Sequence, residues 1–329
     1  MKPPHAIAPG VLLLAACAST PPNEVQLAQY PESPYEDSHG LYWFPTAFSG
    51  VWSYDGAQFH GYSTAEGLPS TTVRAVVEDG DGVLWVGTGN GIVRIQDGQV
   101  QADHDLPGAD VWDVLIDRKG RMWVATLGGV FVKEGAEFKP FGLVGQDQQH
   151  SFDFAPHMVY DIHEARDGAL WFGTDGCGVV RWDGAEQTAW TTGQGLASNA
   201  ICKVFEAPGG DFWFGTADNG ASHFDGGVFS THLRNSEHTD YNGWGRIFGI
   251  AADGNGNVWF GRSSAGGGVW RYDGVDWRLL GVKDGLGDGG VIEVSSDRDG
   301  KVWVGTTAGV FWFDGRGFRN LKRPESIRS

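Results

Sequence analysis

Long apolar runs are missing from this 329-residue sequence: nowhere do 18 or more apolar residues follow one another. A transmembrane helix is therefore not expected. Cysteine is scarce, with Cys17 near the start and Cys177 and Cys202 in the middle, and no Cys/His spacing has the form of a zinc site. Basic residues are outnumbered, 24 Lys+Arg against 41 Asp+Glu, and the acidic excess is spread evenly. Phosphates would meet a repulsive field and no basic stripe to bind, which argues against nucleic acid as a partner. A helical period of apolar residues is also absent, which points to an all-β chain.

What the sequence does hold is a repeat. Leu84–Thr88 (Leu-Trp-Val-Gly-Thr) returns with variations as Met122–Thr126, Leu170–Thr174, Phe212–Thr216, Val258–Arg262 and Val302–Thr306, and in degenerate form as Tyr42–Thr46. The tryptophans Trp43, Trp85, Trp123, Trp171, Trp213, Trp259 and Trp303 lie 38 to 48 residues apart. A period in that range with several strands per repeat marks a β-propeller with one blade per repeat.

Residues Val73–Asp105 serve as the template. The β-branched run Val73–Val77 is followed by the turn Asp79–Gly82, the Trp85 segment, Gly89–Gly91, the run Ile92–Ile95, the turn Asp97-Gly98 and a last run from Gln99. Short apolar or alternating runs bounded by Gly, Asp and Asn are strands, and Asp-Gly between two of them favours a tight hairpin. Each repeat thus predicts four antiparallel strands, named a to d here, and seven tryptophans predict seven blades. Each indole fills the gap to a neighbouring blade. The first repeat has no clear strand a, so either a segment within Val25–Asp37 supplies it or that blade is short, and no strand exchange between the termini is evident. The Asp-rich turns, such as Asp79–Gly82 and Asp297–Gly300, are read as hairpin turns. No bidentate Glu follows them at EF-hand spacing.

The pattern Val-x-x-Val-x-x-Asp-x-x-Gly-x-Leu-Trp-Val-Gly-Thr…Gly-Ile…Asp-Gly resembles the two-component regulator propeller repeat over about residues 40–322. That repeat builds periplasmic sensor domains of bacterial hybrid histidine kinases and some stand-alone proteins, and is more distantly related to the virginiamycin B lyase propeller. The shared residues are turns and core, so the resemblance implies fold rather than chemistry. The sensor proteins continue into a second propeller, a transmembrane helix and kinase domains. This sequence ends at Ser329, soon after its last repeat, and signalling kinase activity is not expected of it.

The N-terminal stretch has a single Lys2, a short apolar segment Ile7–Ala16 and small residues before Cys17, the form of an export signal. Leu14-Ala15-Ala16-Cys17 resembles a bacterial lipobox, in which the cysteine is acylated and becomes the mature N-terminus. That resemblance implies a signal peptide over 1–16, a lipidated Cys17 and tether over 17–35, the propeller over 36–322 and a tail over 323–329. Ala18, where Asp would favour the inner membrane, implies an outer-membrane lipoprotein facing the periplasm, with the cell surface as the other destination. Membrane attachment is then through the N-terminal lipid only.

In a propeller the a–b and c–d turns share one face, and the b–c and d–a connections share the other. The d–a connections vary: Ser63–Thr72, Leu106–Asp110, Phe141–Met158, Thr191–Ala200, Asn235–Arg246 and Gly281–Gly290. Variable loops on a rigid scaffold are where binding concentrates. On strand a the third position reads Ala75, Asp113, Asp161, Lys203, Gly249 and Glu293 between apolar neighbours. This position is expected to face a hydrated central channel. Its acids either line that channel or hold a cation or hydroxylated ligand, with Lys203 as counter-charge. The preceding position holds Trp112, Tyr160 and Phe248, either inter-blade packing or an aromatic platform for a sugar or cyclic ligand. Arg262, which replaces the repeat's threonine, and Trp244, His150 and His157 in the long loops complete the candidates. Cys177 and Cys202 come to the same face of adjacent blades, so a disulfide and two buried free thiols are alternatives.

These features predict a non-catalytic, lipid-anchored propeller that binds a small molecule, glycan or envelope protein through its variable face, without metal or cofactor. The alternative is a metal-dependent lyase or hydrolase resembling streptogramin lyases. Those use a histidine, a carboxylate and a metal; here His163-Glu164 lies in strand a of the fourth repeat, with no second histidine at a matching blade position.

Overall fold

The computed structural model describes residues 25–26, 34–103, 106, 110–146, 155, 157–234, 246–263 and 268–323. They form seven antiparallel sheets arranged as the blades of a β-propeller, with consecutive strands hydrogen-bonded in chain order. In the second blade these are Val73–Glu78, Leu84–Thr88, Gly91–Gln96 and Gln99–Asp103. Helical structure among the described residues is limited to the single 3-10 turns Thr192–Gln194 and Val282–Asp284. None is long and apolar enough to cross a membrane.

The indoles are the wedges. Trp85 packs with Val111, Val114, Met122 and Val124 of the third blade, and Trp123 packs with Val159, Ile162, Leu170 and Phe172 of the fourth. The same relation continues round the ring to Trp303, which packs against Phe44, Trp52 and Phe59 of the first blade. Each sheet is thereby buried on both faces, which explains why strand b reads as a continuous apolar run rather than an alternating one. The glycine of the repeat follows from the same approach. A Cβ on Gly87 would lie 2.5 Å from Val111 Cγ1, and one on Gly215 would lie 2.3 Å from the Ile247 carbonyl.

The turn aspartates have a defined task. In five blades an Asp six residues before the Trp accepts its indole N–H: Asp37, Asp79, Asp117, Asp253 and Asp297 receive Trp43, Trp85, Trp123, Trp259 and Trp303 at 2.8–3.0 Å. The other oxygen of the same carboxylate caps the a–b turn, as Asp79 Oδ1 does for the N–H groups of Asp81 and Val83. Burial opposes ionisation of Asp117, but the bonds from Trp123 and Arg121 outweigh it and hold its carboxyl below the usual range. In the fourth blade Ala165 takes the Asp position. There Trp171 Nε1 is buried with no hydrogen-bond partner among the described residues.

A second device links blade to blade. The last residue of strand a is a glutamate in four blades, and it accepts the backbone N–H from the a–b turn of the preceding blade. Glu78 receives Ser38, Glu164 receives Arg118 and Glu206 receives Arg166, at 2.6–2.9 Å. The fifth blade breaks the pattern on both sides at once. Its turn carries Pro208, which has no N–H to give, and the matching position of the sixth blade is Ala252.

Ring closure uses both devices and one strand that the sequence reading missed. Tyr35–Glu36 supplies strand a of the first blade, the first of the two alternatives. Arg298 of the seventh blade donates its N–H to Glu36 at 3.4 Å and its guanidinium to the Glu36 carbonyl at 3.1 Å. An exchange between the termini that is not evident from the sequence closes the ring: Val25–Gln26 pairs antiparallel with Lys322 and Arg323, adding a fifth, outermost strand to the seventh blade. Two residues assigned to the tether therefore belong to the sheet. Their sequence carries no periodic signal because a two-residue edge strand is too short to show one.

Candidate functional site

All six inner strands from the second blade to the seventh carry a bulge at their second residue, marked by a register shift such as Val111/Asp113 or Val159/Asp161. A bulge re-aims its side chain, and these residues, Arg74, Trp112, Tyr160, Cys202, Phe248 and Ile292, lie at the loop end of the inner strands. The aromatic candidates are brought together. Trp112 meets Tyr160 edge-on with centroids 5.2 Å apart, and Tyr160 reaches Phe248 at 6.5 Å. The second contact skips a blade, because the intervening residue is the small, buried Cys202. All three rings are half-buried.

Polar groups frame this aromatic set. The Arg74 guanidinium lies 4.3 Å from the Trp112 ring centroid and is held by the Asp110 carboxylate and, at 3.1 Å, by the Val111 carbonyl. The Tyr160 hydroxyl bonds to Asp175; burial, with the nearby Cys202 and Asp175, pushes it well above the ordinary phenol range. Arg246 places its charge near both Tyr160 and Cys202. The indole N–H of Trp112 is buried with no hydrogen-bond partner among the described residues.

One residue further along the inner strands stands the charged set. Asp161 accepts the Lys203 ammonium at 2.7 Å and the Val204 N–H at 2.9 Å. Asp113 accepts the N–H groups of Val114 at 2.8 Å and of Ile162, in the next blade, at 2.9 Å. Lys203 also feels Glu293 and Asp113, and although burial lowers its affinity for a proton, Asp161 and these acids leave it raised. Burial and repulsion from Asp161, only partly offset by Lys203, push Asp113 up to about 7. This set is only partly open to solvent: Asp113 is half-buried and the Lys203 side chain is 26% exposed. Asp161 and Glu293 are buried, and the Asp113 and Asp161 carboxylates tie one inner strand to the next. Their second oxygens reach backbone N–H groups that blade-to-blade packing withdraws from water.

The remaining candidates fall elsewhere. Arg262 is buried, opposite Ile247 at the end of strand b in the sixth blade. Trp244 and His150, like Cys17, lie outside the described residues, and His157 is exposed. Cys177 and Cys202 are buried and not joined in a disulfide, the second of the two alternatives. Cys177 packs toward Gly145, while Cys202 sits beside Tyr160 at the inner strand, so the two side chains serve different contacts. His163 is held beside Glu206 at 3.9 Å, and burial lowers its pKa. A closer histidine–carboxylate pair, His223 with Asp211, lies on strand c of the fifth blade, away from the inner strands. Among the described residues no group of three or more His, Cys, Asp or Glu side chains could hold a metal ion. Two clefts of about 270 and 260 Å³ open on the a–b turn side. The first lies between the first two blades beside His39 and Glu78, the second beside Glu36 and Arg298. Neither adjoins the aromatic set.

The sequence reading missed Arg74, Asp110, Asp175 and Arg246. Arg74 alone was signalled, by its place at the bulge position that holds the aromatics.

Fold and inner-strand geometry define the chain as a seven-bladed β-propeller. Three of its segments, residues 67–90, 105–128 and 153–176, match the model of the two component regulator propeller, and the chain carries that repeat. Among solved structures it is similar to two extracellular domains from B. thetaiotaomicron. One, of BT4673, assigned to a one component system, is 18% identical with a TM-score of 0.69 over 88% of this chain and 39% of that one. The other, of BT3049, assigned to a hybrid two component system, is 21% identical with a TM-score of 0.69 over 90% and 40%. The chain therefore spans about two fifths of those proteins' length. It is also similar to virginiamycin B lyase from Staphylococcus aureus, at 13% identity and a TM-score of 0.66 over 87% of this chain and 95% of that one. At these identities the likeness is one of fold. No curated protein matches the sequence.

Proposed function

We propose that this is a lipid-anchored envelope propeller that binds a small molecule, glycan or protein partner at its loop-face channel mouth and does no chemistry there. One observation carries the reading: Trp112, Tyr160 and Phe248 converge from the bulges of the third, fourth and sixth blades. Half-buried rings with a polar frame are what a sugar or cyclic ligand needs, apolar faces for area and a few fixed donors for orientation. Similarity to extracellular sensor-type propellers agrees with a place outside the cytoplasm, and the lipobox-like Leu14–Cys17 supports the anchor. Beneath the aromatics Asp113 and Asp161 are engaged in bonds between inner strands, which supports a structural rather than a reacting role for them.

The test is thermal shift of the full chain against a panel of envelope saccharides and cyclic peptides. A ligand at one hundred times its Kd adds about 2.7 kcal/mol, hence a rise in Tm of roughly 5–10 °C for a domain of this size. Trp112→Ala should abolish the rise. A flat response across the panel, or a rise that survives Trp112→Ala, refutes a site at these rings. The anchor is tested separately by incorporation of labelled palmitate in cells, which Cys17→Ser should abolish.

A further inference from the structure

The chain carries a formal net charge of −17, yet residues Arg316–Arg328 hold five basic side chains and one acid, Glu325. This segment contains the strand Phe318–Arg323, the last strand of the seventh blade. No other fourth strand has this character. Those at Phe59–Tyr62, Gln99–Asp103, Gln187–Trp190 and Phe229–His232 have no Lys or Arg. Trp277–Leu280 has one, Arg278, and Glu137–Phe141 has one, Lys139, paired with Glu134 at 2.6 Å. On the seventh blade Arg316, Arg319 and Lys322 are exposed. Asp314 pairs with Arg319 at 2.7 Å and offsets part of the charge. Arg316, Arg319 and Lys322 thus give this edge a basic character on an acidic molecule, which the reading of an evenly spread acidic excess overlooked.

The same edge receives the N-terminal strand. Val25–Gln26 pairs with Lys322 and Arg323, and Cys17 precedes Val25 by eight residues. Fully extended, that segment reaches at most about 28 Å. An acyl chain on Cys17 would therefore keep this edge, rather than any other, close to the bilayer.

We infer that the outer edge of the seventh blade is a membrane-contacting surface that seats on anionic lipid headgroups. Its orientation rests on the lipid-anchored reading above; its chemistry rests on the charge of the strand. Juxtamembrane basic side chains gain most when held within a Debye length of an anionic surface, and the short tether supplies that confinement. Docked in this way, the propeller stands on its rim and leaves the loop face and its aromatic mouth clear of the bilayer.

The test uses the full chain as Cys17→Ser, so that no acyl chain contributes, in sedimentation with vesicles of phosphatidylcholine containing 30% phosphatidylglycerol or of phosphatidylcholine alone. At 50 mM salt the anionic vesicles should bind at least tenfold more tightly, and 0.5 M salt should remove the difference. Arg316→Glu with Arg319→Glu and Lys322→Glu should weaken binding on the order of 100-fold. The control reversal Lys139→Glu with Arg278→Glu should leave it unchanged. All these side chains are exposed, so an unchanged Tm shows that each variant is folded. Equal binding to both vesicle types, or wild-type binding by the triple variant, overturns the inference. Palmitate labelling at Cys17 without vesicle binding removes the basic surface and keeps the anchor. Vesicle binding without labelling does the reverse.

Discussion

Replacing Asp117 by Ala removes the clearest single fastening in the molecule. Its Oδ2 accepts the Trp123 indole at 2.9 Å and Arg121 Nε at 2.7 Å, and its Oδ1 accepts the N–H groups of Lys119 and Arg121 at 3.0 and 2.9 Å. Trp123 is 1% exposed and Asp117 4%, so water cannot replace the carboxylate at the indole. Leaving that donor unsatisfied costs about 1–3 kcal/mol. The two turn N–H groups are partly open to water and lose about 0.5–1 kcal/mol each. The Arg121 pair is one-third exposed on the arginine side and adds less than about 1 kcal/mol. The expected loss is therefore about 2–6 kcal/mol, seen as a fall in Tm of roughly 4–24 °C by calorimetry. Asp117→Asn keeps one acceptor oxygen and should fall between. The decisive measurement is the cycle with Trp123→Phe, which removes the indole donor. If the cap acts through the indole, Asp117→Ala should cost about 1–2 kcal/mol less in the Phe background. Equal losses in both backgrounds, or a loss under about 1 kcal/mol in the wild type, would refute the role given to the turn aspartates.

Two further outcomes follow from the buried groups. Asp113 holds its proton up to about pH 7 when folded, against an ordinary value near 3.8. Between those limits the folded state binds more protons than the unfolded one, so this residue makes stability fall as pH rises, by up to about 1.4 kcal/mol per unit. Asp117, held low, acts in the opposite sense and loses its contribution as pH falls through its folded pKa. Asp113→Asn should thus raise Tm at pH 8 and leave it near wild type at pH 4; an offset that does not vary with pH in thermal melts would disprove the assignment. Cys177 and Cys202 are buried free thiols, with burial raising both pKa values. Neither should react with a maleimide until urea unfolds the chain, and reductant should leave Tm unchanged. Rapid native labelling or a reductant-sensitive Tm would contradict this.

Much of the architecture was written in one-dimensional form because a propeller repeats the same local problem seven times. Each blade has an indole wedge, five of the seven have a glycine where the next inner strand passes, and six have an Asp-Gly turn between strands c and d, all at readable offsets. The six-residue step from Asp117 to Trp123 was equally visible, yet its meaning was not. Only the fold shows that the hairpin brings one carboxylate oxygen to the indole and leaves the other for the turn. Pro208 and Ala252 are 44 residues apart, and only adjacent blades place the missing donor opposite the missing acceptor.

By itself the sequence determined the number of blades, the four repeat strands of the second to seventh, and the inner positions that carry aromatic and charged residues. All of these arise from interactions within one repeat or between identical neighbours. The tertiary structure decided what happens between unlike partners. It gave Asp113 and Asp161 the further task of tying one inner strand to the next, let Tyr160 reach Phe248 over the small Cys202, and joined Val25–Gln26 to the far end of the chain. Such contacts depend on where the ring closes and which side chain happens to be small. Those are properties of the assembled circle that no single repeat encodes.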